Sequence, residues 1–188
     1  MSDSGLRFMN ENGDLLSPIH ETVWDIQTMS YPKHSVYLAG TITGLTHDEA
    51  RYGWRKTFKL HMDSYPHIFC SSPMRGKEML QDFGVLTSGK GYPDYAMTSP
   101  KGIVTRDRND VKLCSVMVAC FLDSGGKLSG GTFIEFGWAD RYDTPVVVVG
   151  PEDDPNILHL MSQALAGYRV DTLEEAAMIV GHLLTPGL

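Results

Sequence analysis

The chain lacks long apolar runs, has few cysteines and carries fewer basic than acidic residues, and each shortage excludes a class of protein. No apolar stretch approaches the ~20 residues that cross a bilayer, and the polar residues 1–14 do not resemble a signal peptide. The three cysteines lie in or beside apolar runs without metal-like spacing, which favours buried, reduced thiols. With 16 basic against 23 acidic residues, the chain does not have the charge of a protein that coats nucleic acid. We therefore expect a soluble, cytoplasmic protein that binds neither membranes nor nucleic acid polymers.

The apolar residues that are present suffice for one sizeable core. The chain has 188 residues and is 42% hydrophobic, which fits one domain better than two. Residues 1–33 carry little pattern, so we expect them to form an N-terminal extension of a single domain that spans 1–188.

Short β-branched runs alternate with helical patterns after this extension. Near-continuous apolar strands separated by helices predict an α/β fold with a parallel sheet that is covered on both faces. The predicted strands span 35–39, 67–71, 116–122, 146–150 and 168–170, and the predicted helices span 46–65, 105–114, 132–141, 156–166 and 172–184. Residues 84–101 are rich in Gly, Pro, Ser and Thr, which predicts a long loop of the kind that covers an active site.

One carboxylate follows the third predicted strand at the start of a helix. In the segment SGGTFIEFG (129–137), the glycines allow a sharp turn, and the free amides at the helix start can receive an anion. Glu135 would face the same pocket. A carboxylate in that place can attack a sugar carbon, act as a base or simply cap its own helix.

Other polar residues lie where predicted strands end, and ligands of open parallel sheets bind at that edge. Residues 40–44 contain two glycines and hydroxyl groups that can approach a ligand closely, although a plain strand-to-helix turn explains them too. Arg75 and Lys77 place two cations near the edge. Asp107 and Asp110 are one helical turn apart, and either can be a salt-bridged acid or the proton donor that a leaving group needs.

Three motifs together resemble one known family. They are YLAG (37–40), RD (106–107) with a strand beginning nine residues after the Asp, and SGGTxxExG (129–137). In this combination and order the chain resembles the nucleoside 2-deoxyribosyltransferase superfamily, and most of all its 2'-deoxynucleoside 5'-monophosphate N-hydrolase branch. The resemblance implies a flavodoxin-like (Rossmann-like) five-stranded parallel sheet. It also implies cleavage of the bond between a nucleobase and its sugar, with no cofactor and no metal.

The resemblance assigns roles to individual residues. Glu135 matches the nucleophile that attacks the anomeric carbon, Asp107 the acid that faces the base and helps it leave, and Tyr37 the tyrosine that orients the nucleophile. An oxocarbenium-like transition state is stabilised by a carboxylate beside the anomeric carbon, which agrees with this assignment. The loop against the sugar and phosphate would consist of Gly40, Thr41, Ile42, Thr43 and Gly44.

Ser129 separates the branches of the family. The transferases typically have an aspartate there that contacts a free 5'-hydroxyl, whereas the monophosphate hydrolases have a serine. A serine hydroxyl, with Gly131 and Thr132 beside it, can donate hydrogen bonds to a phosphate that a carboxylate would repel. The chain departs from the hydrolases at Thr43, where they tend to carry an arginine, and Arg75 or Lys77 would have to replace that phosphate partner.

The family's sites are completed by a neighbouring subunit, commonly from the helix after the fourth strand. The resemblance therefore implies a homodimer or higher homo-oligomer with shared active sites, and the residues expected at that contact are His159 and Asn156. Base selectivity would come from the helix after Thr46, for example from Trp54, and from the 84–101 loop.

The sequence leaves three other functions open. The protein could exchange bases on deoxynucleosides as a transferase, or bind nucleotides as a non-catalytic sensor. A Gly-Gly-Thr-x-x-Glu loop also resembles the lysine-decarboxylase-like phosphoribohydrolases, but residues 129–132 lack the Pro and the extra Gly of their motif. We expect a nucleotide N-glycosidase because Tyr37, Asp107 and Glu135 are all present.

Overall fold

The computed structural model describes residues 34–87, 89, 91–93 and 95–185, and the predicted extension at 1–33 lies outside them. Five strands form a sheet in the order β2-β1-β3-β4-β5, and every neighbouring pair is parallel. The strands are β1 (His34–Gly40), β2 (Ile68–Ser71), β3 (Val116–Cys120), β4 (Val146–Val149) and β5 (Tyr168–Val170). This is the flavodoxin-like strand order, so the predicted fold class is confirmed.

Helices connect the strands. They are α1 (His47–Met62), α2 (Pro100–Leu113), α3 (Gly130–Arg141), α4 (Pro155–Leu158), α5 (Leu160–Leu165) and α6 (Leu173–Leu184), with a 3-10 helix at Glu78–Phe83 that was not predicted. Within the described ranges, no helix combines the length and the apolar character that a membrane span requires.

The sheet separates two apolar layers. Successive β1 residues point to opposite faces, so that Val36 and Leu38 pack with α1 and α6, whereas Tyr37 and Ala39 pack with α2 and α3. The chain path thus brings the carboxyl ends of β1 and β3 and the start of α3 to the same edge of the sheet.

Helix starts follow local capping chemistry. Thr46 and Glu49 form a capping box at α1, and the Thr172 hydroxyl accepts a hydrogen bond from the Glu175 amide at α6. The start predicted for the second helix, at residue 105, is wrong. The Ser99 side chain caps a helix that begins at Pro100, so α2 takes the last two residues of the predicted 84–101 loop.

The single helix predicted over 156–166 is also wrong, because the chain forms two short helices there. His159 has an extended backbone (φ −63°, ψ 137°) between α4 and α5. Its ring Nδ1 accepts a hydrogen bond from the Met161 amide at 3.2 Å. His159 therefore ends one helix and caps the next, which an apolar pattern does not reveal.

The segment before α2 packs against the β1–α1 loop. The Gly44 amide donates to the Leu86 carbonyl at 2.8 Å, and the Leu86 amide donates to the Leu45 carbonyl at 2.7 Å. Leu86 is buried in a small apolar cluster with Ala50 and Met74. This part of the predicted loop is thus anchored beside the carboxyl end of β1.

The three cysteines are buried and free of disulfides, as predicted. Burial raises the pKa of the Cys70 thiol to about 11 and the pKa of Cys114 and Cys120 to about 12. These thiols are core residues.

Candidate active site

A tyrosine and a glutamate meet at the carboxyl edge of the sheet. Tyr37 lies on β1 and Glu135 on α3, and the tyrosine hydroxyl donates a hydrogen bond of 2.7 Å to Glu135 Oε1. Tyr37 is fully buried and Glu135 is 9% exposed. The side chains are 98 residues apart in sequence, so the fold itself builds this pair.

The pair has an unusual electrostatic environment. Burial raises the pKa of the Glu135 carboxyl to about 7; the charge of Asp107 adds to the rise, while the Tyr37 hydrogen bond and the cations Arg55 and Lys77 oppose it. Burial and the charge of Glu135 raise the pKa of Tyr37 well above its usual value, so the hydroxyl remains a donor. A carboxylate that titrates near neutral pH inside a site is typical of catalytic groups.

A buried arginine, which sequence reasoning missed, lies behind this pair. Arg55 on α1 is 0% exposed and donates to the carbonyls of Leu38 at 3.2 Å, Gly40 at 3.2 Å and Ala50 at 2.7 Å. No described carboxylate lies within ion-pair distance of it. Arg55 therefore ties α1 to the end of β1 and contributes a positive charge next to Glu135. The sequence signal that could have revealed Arg55 is a basic residue on an otherwise apolar face of the first predicted helix.

Trp54, considered above for base selectivity, belongs to the core. Its side chain is 5% exposed and stacks against the Arg55 guanidinium with 4.6 Å from Cζ to the ring centroid. A side chain built at Gly40, whose φ is +148°, would lie 2.5 Å from the Cys120 carbonyl oxygen and 3.1 Å from the Trp54 ring. Glycine is therefore required where β1 ends.

The two aspartates predicted near the edge each pair with an arginine. Asp107 Oδ1 accepts hydrogen bonds from Arg106 at 2.8 and 3.1 Å, and both oxygens of Asp110 accept from Arg75 at 2.8 Å. Burial raises the pKa of Asp110, which the Arg75 guanidinium opposes. Arg75, predicted to bind substrate, is half-exposed and uses its guanidinium to hold Asp110.

A polar network fixes the loop before α3. The Asn156 side chain accepts from the Ser129 amide at 2.8 Å and donates to the Lys127 carbonyl at 2.9 Å, while Asp154 accepts from the Asn156 backbone and side chain. The hydroxyls of Ser129 and Thr132 are 2.9 Å apart. Asn156, expected at a subunit contact, is fully buried within its own chain and positions Ser129.

Residues 40–44 form the turn after β1, at the same edge. Thr41 Oγ1 is buried without a hydrogen-bond partner among the described residues, and Thr43 and Gly44 are exposed. Buried hydroxyls are rarely left unpaired in folded proteins. The role of residues 40–44 in binding a ligand stays a prediction, and Thr41 has a buried hydroxyl that could serve it.

His159, the remaining predicted site residue, lies between α4 and α5 and packs against α3. Besides capping α5, its ring stacks on Phe133 with 4.1 Å between the ring centroids. Gly131 is exposed at the α3 start, and the Thr132 side chain is buried beside Ser129.

Open clefts elsewhere on the surface do not contain these residues. One of about 520 Å³ lies between α1 and α6, where Thr172 and Glu175 form its lining. Both residues take part in the α6 cap, so helix capping explains them. The titratable groups converge instead at the carboxyl edge of the sheet, where the fold places ligands.

Comparison with known proteins bears on the fold. Sequence comparison finds no matching family profile and no matching curated protein. A conserved protein of Enterococcus faecalis V583 aligns with 18% identity and a TM-score of 0.54 over 80% of this chain and 99% of that one. BlsM aligns with 20% identity and a TM-score of 0.52 over 82% and 96%. The CMP N-glycosidase BcmB of Clostridium botulinum aligns with 16% identity and a TM-score of 0.46 over 80% and 99%.

The first two of these similarities show that the chain shares the fold of known α/β proteins. Fold alone does not fix chemistry, because one fold carries many activities. The function is therefore argued from the side chains at the carboxyl edge.

Proposed function

We propose that the protein is an N-glycosidase that cleaves the base–sugar bond of (deoxy)nucleoside 5'-monophosphates, with Glu135 as the nucleophile. The observation that carries this proposal is the buried 2.7 Å hydrogen bond from Tyr37 to Glu135 beside Asp107. The hydroxyl orients one carboxylate oxygen and leaves the other available for attack. The motif resemblance assigns the same roles to these residues.

The reaction consists of two displacements at the anomeric carbon. In the first, a Glu135 oxygen bonds to C1' while the bond from C1' to the base nitrogen breaks, and its electron pair leaves with the base. In the second, water attacks C1' and the ester electron pair returns to Glu135, and the proton that the water loses balances the proton that the departing base takes up. The carboxylate must be ionised to attack, so activity is expected to rise with pH through about 7, the pKa of Glu135.

The start of α3 supports a phosphorylated substrate. Helix α3 begins at Gly130, and its first amides can donate to an anion that the helix dipole also attracts. Ser129 holds a hydroxyl there instead of a carboxylate, and the Asn156 contact fixes its backbone. We place the phosphate at Ser129, Gly131 and Thr132, with residues 40–44 on the sugar.

A homodimer is part of the proposal. Large apolar side chains are exposed on three neighbouring helices, namely Ile134 on α3, Leu158 on α4 and Leu160 on α5. Exposed apolar surface marks interaction sites, and His159 joins α4 to α5 between the two leucines. Sedimentation at micromolar concentration is expected to show a dimer, and Leu160→Glu is expected to yield monomers with reduced turnover.

The activity is tested with nucleoside and deoxynucleoside 5'-monophosphates, alongside the unphosphorylated nucleosides, by following release of free base by chromatography. Glu135→Gln keeps a hydrogen-bond acceptor for Tyr37 but removes the nucleophile, and Asp140→Asn is the matched control because Asp140 is exposed on the same helix. Base release from monophosphates, lost in Glu135→Gln and kept in Asp140→Asn, is the expected result.

Two other results would assign a different function. Exchange of bases on unphosphorylated deoxynucleosides alone would indicate a transferase. Nucleotide binding without turnover, unchanged in Glu135→Gln, would indicate a sensor.

A further inference from the structure

One buried cation has no role in the two displacements above. Lys77 follows the turn at Gly76, whose φ is +70°, and precedes the 3-10 helix. It is 4% exposed, and its ammonium group makes no hydrogen bond to any residue that the structure describes. The stem of the side chain is buried, but its nitrogen is not among the fully buried polar atoms that lack a partner, so a ligand can reach the ammonium group and supply an acceptor.

The segment that carries Lys77 is held firmly in place. Arg106 donates to the carbonyls of Pro73 and Arg75, each at 2.6 Å, and the Arg75 side chain pairs with Asp110 on α2. These contacts hold residues 73–77 against the middle of α2, next to Asp107. The backbone that carries Lys77 is thus held by Arg106, the residue that also pairs with Asp107.

The charges of Asp107 and Glu135 both act on Lys77. The charged groups that act on it are Asp107 and Arg106 from α2, Glu135 from α3 and Arg55 from α1. Asp107 has the largest effect of these four charges. In the motif resemblance Asp107 faces the leaving base, so the base is expected on the side of Lys77.

The departing base needs a proton, and Asp107 is poorly suited to give it. Asp107 forms an ion pair with Arg106, whose guanidinium donates two hydrogen bonds to Asp107 Oδ1 and so favours the ionised carboxylate as an acceptor. An ammonium group carries three donor hydrogens and can provide what the carboxylate lacks.

Building on the proposed N-glycosidase function, we propose that Lys77 protonates the departing nucleobase while Asp107 orients its ammonium group. As the C1'–N bond breaks, its electron pair stays on the base, which takes a proton from Lys77 and leaves a neutral amine. When water attacks C1', its proton passes to that amine and the ester electron pair returns to Glu135. The cycle then restores both residues without any further reactant.

The titration of Lys77 suits this role. Burial lowers its pKa to about 8; the Asp107 charge opposes that shift and Arg106 adds to it. A donor with this pKa is protonated at neutral pH and transfers its proton readily. The rate is therefore expected to fall above about pH 8 and, through Glu135, below about pH 7.

The test compares Lys77→Met with the unsubstituted protein across a leaving-group series, made of the accepted nucleotide and analogues whose ring substituents make the base depart more easily. Lys56→Met is the control, because Lys56 is exposed in the middle of α1. Lys77→Met is expected to slow the natural substrate about 100-fold and the best leaving group less than about 10-fold. In Lys77→Met the rate is expected to stay constant above pH 8 instead of falling, and the same is expected in Lys77→Arg.

Other results would overturn the proposal. An equal loss across the leaving-group series with the fall above pH 8 retained would make Lys77 structural, and a loss confined to KM for phosphorylated substrates would place it at the phosphate. If the unsubstituted protein releases base normally in either case, the N-glycosidase function stands and only the role of Lys77 fails. Absence of turnover by the unsubstituted protein would reject both.

Discussion

The two faces of the sheet are built for different purposes. On the face covered by α1 and α6, an apolar layer covers the sheet, with Phe58 and Val36 fully buried, and Arg55 is a buried charge at its carboxyl edge. The face covered by α2 and α3 also has an apolar layer, but towards the carboxyl edge it buries the Tyr37–Glu135 pair beside Asp107.

The difference shows where the fold buries titratable groups that lower its stability but can take part in catalysis. Apolar burial stabilises the folded state at every pH, whereas a buried carboxyl group lowers stability when it must ionise. Substitutions in the apolar layer of the α1/α6 face should therefore change stability alone. Substitutions at the polar edge of the other face should change activity while leaving stability equal or higher.

The largest effect on stability is expected on the apolar face. Phe58→Ala removes a fully buried ring from the α1/α6 layer, which should lower the free energy of unfolding by about 3–5 kcal/mol. Urea denaturation at pH 6 and pH 8 should give the same loss. A loss that depends strongly on pH would show that the two faces are not independent.

Glu135→Gln should have the opposite effect on stability. Because the pKa of Glu135 is raised from 4.5 to about 7 in the folded protein, its contribution to stability is fully present below pH 4.5 and is lost as pH rises through about 7. Glutamine cannot ionise, so the variant does not lose this stability. At neutral pH it should be more stable than the parent by up to about 3 kcal/mol. Denaturation curves at pH 4.5 and pH 8 measure this, and a variant less stable at pH 8 would contradict it.

Tyr37→Phe tests the hydrogen bond inside the site. The Tyr37 hydroxyl lowers the pKa of Glu135, so its removal should move the rise of kcat/KM to higher pH and reduce activity at pH 7 about tenfold. A pH–rate profile of both proteins checks this. An unshifted profile would mean that the hydroxyl does not act on the nucleophile.

The smallest effect is expected at a helix cap on the apolar side. Thr172→Ala removes the side-chain acceptor for the Glu175 amide at the start of α6 and should cost about 1 kcal/mol of stability. Base release should be unchanged, since α6 covers the face without the catalytic pair. Reduced turnover at equal folded concentration would refute the separation of the two faces.

The sequence predicted best what depends on local pattern. Strands β3 and β4 are buried apolar runs, so their positions followed directly from the sequence. Helix boundaries failed where one polar side chain decides the outcome. His159 turns an expected helix into two by bonding its own backbone, and Ser99 starts α2 early.

The candidate site was predicted as a set of residues but not as an electrostatic arrangement. The motifs selected Tyr37, Asp107 and Glu135, which the structure brings together. Arg55 was missed because its partners are backbone carbonyls, which leave no signal in side-chain spacing. The same holds for Asn156, whose contact to the Ser129 amide joins segments 27 residues apart.

The central claim is that Glu135 is a nucleophile and not a general base, and the stereochemistry of the product tests it most directly. With methanol as the acceptor, the configuration at C1' of the methyl glycoside 5-phosphate is read by proton NMR. Two displacements through Glu135 predict a β-glycoside, with the configuration of the substrate retained. An α-glycoside would mean that water or methanol attacks directly, and would contradict the account.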